Sequence, residues 1–212
     1  MTEGMSLRER KKLQTRHRLL SAAAGLFAER GFDQVSVAEI AEAADVSKMT
    51  VFNYFAGKED LVLAPLEEHI GDVARVVRDR AVGESATDAA RRQFLAAVEA
   101  HDPSVGMSDA PLALELRRLI QETPALLIRA HASSLRSLDL LAEVLVDEGE
   151  EPALVRIAAA QLIATRNGLI VHNQLRLLAG ESADQVVPDA LMLAGRGFDL
   201  LDQGIGSFAT RS

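Results

Sequence analysis

Apolar residues recur along the whole chain at helical spacing, and no stretch alternates in the way a half-buried strand requires. In the first segment Leu13, Leu20 and Phe27 fall seven residues apart, with Ala23 and Ala24 between them. They predict a long helix over about 8–30, ended by Gly31 as a left-handed cap with Phe32 folding back. Two short helices follow, about 37–44 and 48–54. Ser36 and Glu39 stand at the spacing of a capping box, and Ile40, Ala41 and Ala44 supply an apolar stripe. Asp45-Val46 makes the turn, aspartate being one of the few residues that tolerate a left-handed backbone. Ser47 caps the second short helix, which is anchored by Val51 and Phe55. Ala56-Gly57 is a further turn before a fourth helix opening at Lys58, which Pro65 should kink and Gly83 should close. Longer amphipathic helices are predicted over 86–101, 110–121, 124–148, 152–178 and from Ser182, itself in a capping box with Gln185, to about 203. The longest break is the loop DPSVGMSDAP. The expectation is an all-α fold of nine helices: a compact N-terminal trio, a connecting helix and a bundle of five.

Composition narrows the class. An apolar fraction of 48% over 212 residues supports a real core. Aromatics make up only 4%, and five of the eight lie in the first 55 residues, so the remainder must pack with aliphatic side chains. The chain has no cysteine, which excludes disulfides and thiolate metal sites. The apolar runs are broken by charged or strongly polar groups before membrane-spanning length, and the basic N-terminus lacks the apolar stretch of a secretory signal. The expectation is a cytoplasmic protein with no membrane association.

The net charge of −8 hides an uneven distribution. Residues 1–18 carry Arg8, Arg10, Lys11, Lys12, Arg16 and Arg18 against Glu3 and Glu9, and all four lysines lie within the first 58 residues. From residue 61 onward, 14 basic residues face 22 acidic ones, which accounts for the whole deficit. Nucleic acid responds to the local field, within about 8 Å at physiological salt. The charge is compatible with DNA binding without arguing for it, and the basic segment has two readings, a phosphate-contacting arm or a solvated helix face.

The stretch VSVAEIAEAADVSKMTVFNYFAGK, residues 35–58, carries the candidate chemistry. Two short capped helices joined by a tight turn form a helix-turn-helix, whose second helix fits a DNA major groove. Together with its flanks, LLSAAAGLFAERGF before it and YFAGKEDL after it, this segment resembles the tetracycline-repressor (TetR) family of one-component transcriptional regulators over about residues 12–64. The resemblance implies an N-terminal helix-turn-helix domain over 1–60 (motif about 35–54) and an effector-binding and dimerisation domain over 61–212. It also implies a homodimer joined through the last two long helices, and a ligand-responsive regulator, most often a repressor, that leaves a palindromic double-stranded operator when a small-molecule effector binds.

Carried over residue by residue, the resemblance implies phosphate contact by Lys58, backbone contact by Thr50 and Tyr54, and a phosphate-holding hydroxyl at Ser36. Lys48, Met49 and Asn53 would face the groove, where asparagine can pair with adenine and lysine can reach guanine. Phe52 stands where tyrosine is frequent, which removes a hydroxyl, and Asp45 stands where glycine is usual.

In the C-terminal portion Arg117, His131, Arg166, Asn167, His172 and Asn173 are the polar residues to explain, Arg166 and Asn167 interrupting LVRIAAAQLIATRNGLIVH. An effector could supply the partners they need, or they serve a dimer interface or a surface face. The bundle's aliphatic composition points weakly to an apolar effector. His172 has no second ligand near it in sequence, so no metal site is expected, and no cofactor motif appears. The alternatives are a DNA-binding regulator of the same fold without an effector and, more remotely, a helical-bundle enzyme. No nucleophile–base pair, phosphate loop or carboxylate–histidine pattern supports an enzyme.

Overall fold

The structure, a computed structural model, describes residues 6–205. The acidic Glu3 and the ends 1–5 and 206–212 of the two expected domains lie outside the described residues. Those residues are all-α, as expected: α1 (Leu7–Arg30), α2 (Val37–Ala43), α3 (Lys48–Tyr54), α4 (Lys58–Glu67), α5 (Asp72–Arg78), α6 (Ala86–Glu99), α7 (Pro111–Glu122), α8 (Pro124–Asp147), α9 (Pro152–Leu178) and α10 (Ala183–Ile205), with a 3-10 turn at Pro103–Val105. Ten α-helices replace the expected nine because the connecting helix is two. Pro65 sits inside α4, and the chain then passes through turns in which His69 and Ile70 donate three residues back before α5 begins.

Two compact units are present. The first comprises residues up to Pro65 together with Glu115–Ile128, and the second comprises Leu66–Leu114 and the chain from Arg129 onward. In the first unit Leu19, Leu20, Ala23, Ala24 and Phe27 of α1 form the buried face, with Ile40 and Ala41 of α2 and Val51 of α3 also in the core. Leu13, expected on that stripe, is about half exposed, because the buried face runs through Leu19 and Leu20 instead. Gly31 ends α1 with φ 78° and ψ 156°, a conformation in which a Cβ is strained but which is not the left-handed helical cap expected. Its N–H donates to the Phe27 carbonyl, and Phe32 folds back with its ring centroid 5.2 Å from that of Phe27.

The second unit packs α6 and α9 against α10 and α5 against α6. Its core is largely aliphatic, as the composition demands, with Phe94 of α6 and Phe198 of α10 in ring contact at 6.0 Å. Helix α9 is long and apolar enough to cross a bilayer by length and composition, at mean hydropathy 1.3. One side of it is packed in the second unit, burying Val155, Leu162 and Leu169 along with two polar residues, Arg166 and Asn173. The DPSVGMSDAP loop is seated on it. Asn173 Nδ2 donates to the Val105 carbonyl at 2.9 Å, and a Cβ on Gly106 (φ +78°) would come within 2.7 Å of the Ile170 carbonyl oxygen.

A candidate nucleic-acid interface

Helix α3 is only seven residues long, so its orientation rests on its anchors and its cap. Val51 and Phe55 are buried, while Ser47 Oγ accepts from the Thr50 amide at 3.0 Å and shares a 2.8 Å hydrogen bond with the Thr50 hydroxyl. With Val51 fixed inward, the residues two positions to either side of it, Met49 and Asn53, turn outward, and Phe52 and Lys48 flank them. Lys48, Met49, Phe52 and Asn53 are accordingly exposed on one face, Met49 to 68% and Phe52 to 45%. The Lys48 ammonium lies 5.8 Å from the Phe52 ring centroid. Phe52, discounted in the sequence for lacking a hydroxyl, therefore stands in the same face as the three groove-facing candidates. Tyr54 and Thr50 are half-buried at its margins.

The turn before α3 is closed by Asp45 at φ 51°, the left-handed residue expected. The Val46 amide donates to the Ala41 carbonyl at 2.9 Å. Ser36 caps α2 in a complete capping box: its hydroxyl accepts from the Glu39 amide, and the Glu39 carboxylate accepts from both the Ser36 amide (2.9 Å) and hydroxyl (2.7 Å). The Ser36 amide, then its hydroxyl, then Arg30 at 2.7 Å hold the Glu39 carboxyl down at about 2. Ser36 is thus exposed but fully engaged, and its hydroxyl must exchange a partner to meet a phosphate.

Lys58 has a role that sequence gave no sign of. Its ammonium donates to the carbonyls of Phe32 (2.9 Å), Val35 (3.4 Å) and Asp33 (3.5 Å) and lies 4.4 Å from the Phe32 ring centroid. It ties the start of α4 to the α1–α2 connection. The first turn of α4 also carries Glu59 and Asp60, with Asp60 accepting from the Ala56 amide at 2.8 Å. Lys58→Met, which keeps the stem and removes the charge, is expected to lower stability by about 2 kcal/mol. It should also weaken DNA binding equally for every sequence, both effects read by thermal melting and by titration across a salt series. A fall in salt slope of about 1 per half-site with unchanged melting would instead mark a purely phosphate-contacting lysine.

Of the basic N-terminal residues, Arg8, Arg10, Lys11, Lys12 and Arg18 are exposed on α1, whereas Arg16 lies 5.6 Å from the Phe55 ring centroid. Helix α1 opens with a capping box between Ser6 and Glu9 that the sequence reading passed over.

The effector candidates divide between the two units. Arg117 is buried in the first unit. In the second, His131 is exposed on α8, Asn167 is half-buried and Arg166 is buried.

Residues 19–64 match the model of bacterial regulatory proteins of the tetR family. The regulator TcmR of Streptomyces glaucescens is 33% identical over 125 residues, which are 58% of this chain and 55% of that protein. The chain thus matches only about half the length of this relative. Among solved structures, NalD of Pseudomonas aeruginosa, described as the secondary repressor of a multidrug efflux pump, superposes with TM-score 0.57 at 21% identity, over 87% of this chain and 96% of that one. SmeT, in complex with triclosan, superposes with TM-score 0.57 at 17% identity over 90% of each chain. These two establish the fold alone. With the capped α2–turn–α3 unit and the outward face of α3, the match over residues 19–64 identifies the N-terminal part of this all-α chain as a DNA-binding domain of the TetR family of transcriptional regulators.

Proposed function

We propose that the chain acts as a cytoplasmic homodimer on a palindromic double-stranded operator, with α3 in the major groove and release driven by a small-molecule effector. The outward face of α3 carries this reading: one cation, one amide and two apolar side chains on a helix whose opposite side is locked in the core. Asn53 and Lys48 read base edges, Met49 and Phe52 make apolar contact, and Thr50, Tyr54 and Ser36 border the DNA backbone. Residues 1–60 bind DNA, and 61–212 serve effector binding and dimerisation.

Dimerisation is supported by the outer face of α9 and α10. Thr165, Gly168, His172, Arg196 and Leu200 line an open depression there, flanked by exposed Val171, Leu175 and Met192. A Cβ on Gly168 would meet nothing within 4 Å in its own chain, which leaves this face free for the close approach of a second copy. Repression is the sign of regulation favoured by the family resemblance. SmeT, of the same fold, is known in complex with triclosan, which suits an apolar effector here.

Selection of bound duplexes from a random library by the purified protein tests the reading. A palindrome with half-sites about 34–36 Å apart, or a multiple of that, is expected. Failure to enrich any sequence at low salt would remove the regulator reading.

A further inference from the structure

The second unit buries two arginines, and it treats them differently. Arg80 on the α5–α6 connection is 2% exposed and meets four protein acceptors: both Glu148 carboxylate oxygens, the Val77 carbonyl and the Glu84 carbonyl. Arg166 on α9 is 7% exposed, and its Nε and Nη2 meet no hydrogen-bond acceptor of the protein. No carboxylate forms an ion pair with it among the described residues. Its guanidinium carbon instead lies 5.9 Å from the Phe94 ring centroid. The two acids whose fields reach it are committed elsewhere. Asp72 accepts from Arg75 at 2.6 Å and pairs with His69 at 2.9 Å, and Asp102 accepts from the Ser104 amide at 2.7 Å. Burial therefore outweighs both acids and lowers the affinity of Arg166 for its proton.

A buried donor without an acceptor costs free energy, and a buried charge without a counter-charge costs more. Water can satisfy the first need but not the second. Phe94, against which Arg166 lies, belongs to the hydrophobic core cluster, as do Leu162, Ile163 and Leu169, its neighbours one turn away along α9. Ile170 and Asn173, one and two turns further along α9, hold the 102–107 segment, which brings Asp102 into the field of Arg166.

We infer that Arg166 is the anchor for the carboxylate of an acidic, otherwise apolar effector. This rests on the effector reading above and specifies its chemical class. A carboxylate accepts two hydrogen bonds side by side from Nε and Nη2 of a guanidinium, the two donors left without a protein acceptor. Phe94 covers the flat side of the guanidinium, and the apolar walls strengthen the pairing by excluding water. The cation is retained at the expense of stability because the ligand supplies its counter-charge.

The test uses acid and amide pairs of equal shape, decanoate with decanamide and 1-naphthoate with 1-naphthamide, on the wild-type chain and on Arg166→Met. At least one acid should raise the wild-type melting temperature and displace the selected operator, while its amide does neither. Affinity for that acid should fall on the order of 10- to 100-fold in Arg166→Met. The ligand-free Arg166→Met protein should melt higher than wild type, by about 3 °C or more, because an apolar isostere replaces an uncompensated buried charge. A lower melting temperature for Arg166→Met would show that the arginine serves the fold and would overturn the inference. So would acids and amides acting alike, or no acid acting while operator binding is intact, an outcome that leaves the regulator reading standing. Loss of operator binding altogether would strike that reading instead, with the melting data still deciding the role of Arg166.

Discussion

Asn53→Ala is expected to cost about 1–3 kcal/mol at each half-site, or about 2–6 kcal/mol on a two-half-site operator, with the change confined to preference at one base position. The residue is exposed on α3 beside Met49 and Phe52, has no cap or core contact to lose, and lies on the side opposite Val51. Melting should therefore be unchanged. Binding to random duplex should also hold, because an amide contributes nothing to counterion release. Titration of wild type and variant against the selected operator and all single-position changes checks this. Equal loss on specific and random duplex would move Asn53 from base reading to backbone contact and shift the reading role toward Lys48.

The largest stability effect is expected at Arg80. Its guanidinium pairs with both oxygens of Glu148, at 2.8 and 2.6 Å, while also donating to the Val77 and Glu84 carbonyls, so it joins the end of α5 to the end of α8. Arg80→Met leaves a carboxylate and two carbonyls without their donor in a mostly buried setting. Breaking such a pair from one side costs about 3–5 kcal/mol, a fall in melting temperature on the order of 10 °C for a chain of this size. Glu148 keeps 26% of its side-chain surface, so Glu148→Gln should cost less, since the amide oxygen still accepts one hydrogen bond. Thermal melts of both variants decide the matter, and equal melting of wild type and Arg80→Met would show the pair to be energetically neutral. The contrast with Arg166→Met, expected to melt higher, is the sharpest comparison within one unit of this protein.

The local features were legible in the sequence because each depends on neighbours in the chain. The Ser36–Glu39 capping box, the Ser47 cap, the left-handed Asp45 and the helix starts at Pro124 and Pro152 are all set within a few residues. So were the outward face of α3 and the family resemblance that it carries. Tertiary structure decided what depends on distant partners. The resemblance implied a phosphate contact for Lys58, yet three carbonyls from 23 to 26 residues earlier accept hydrogen bonds from its ammonium. Leu13 matched the apolar stripe, but which of several apolar residues on α1 turn inward depends on what packs against them. Residues 115–128 join the N-terminal unit from half a chain away, which no local pattern marks. Arg80 and Arg166 are alike as letters; only the fold placed Glu148 opposite one and Phe94 opposite the other. The periodicity of the chain determined the helices, and the long-range pairing of charges determined which polar residues they can leave for a ligand.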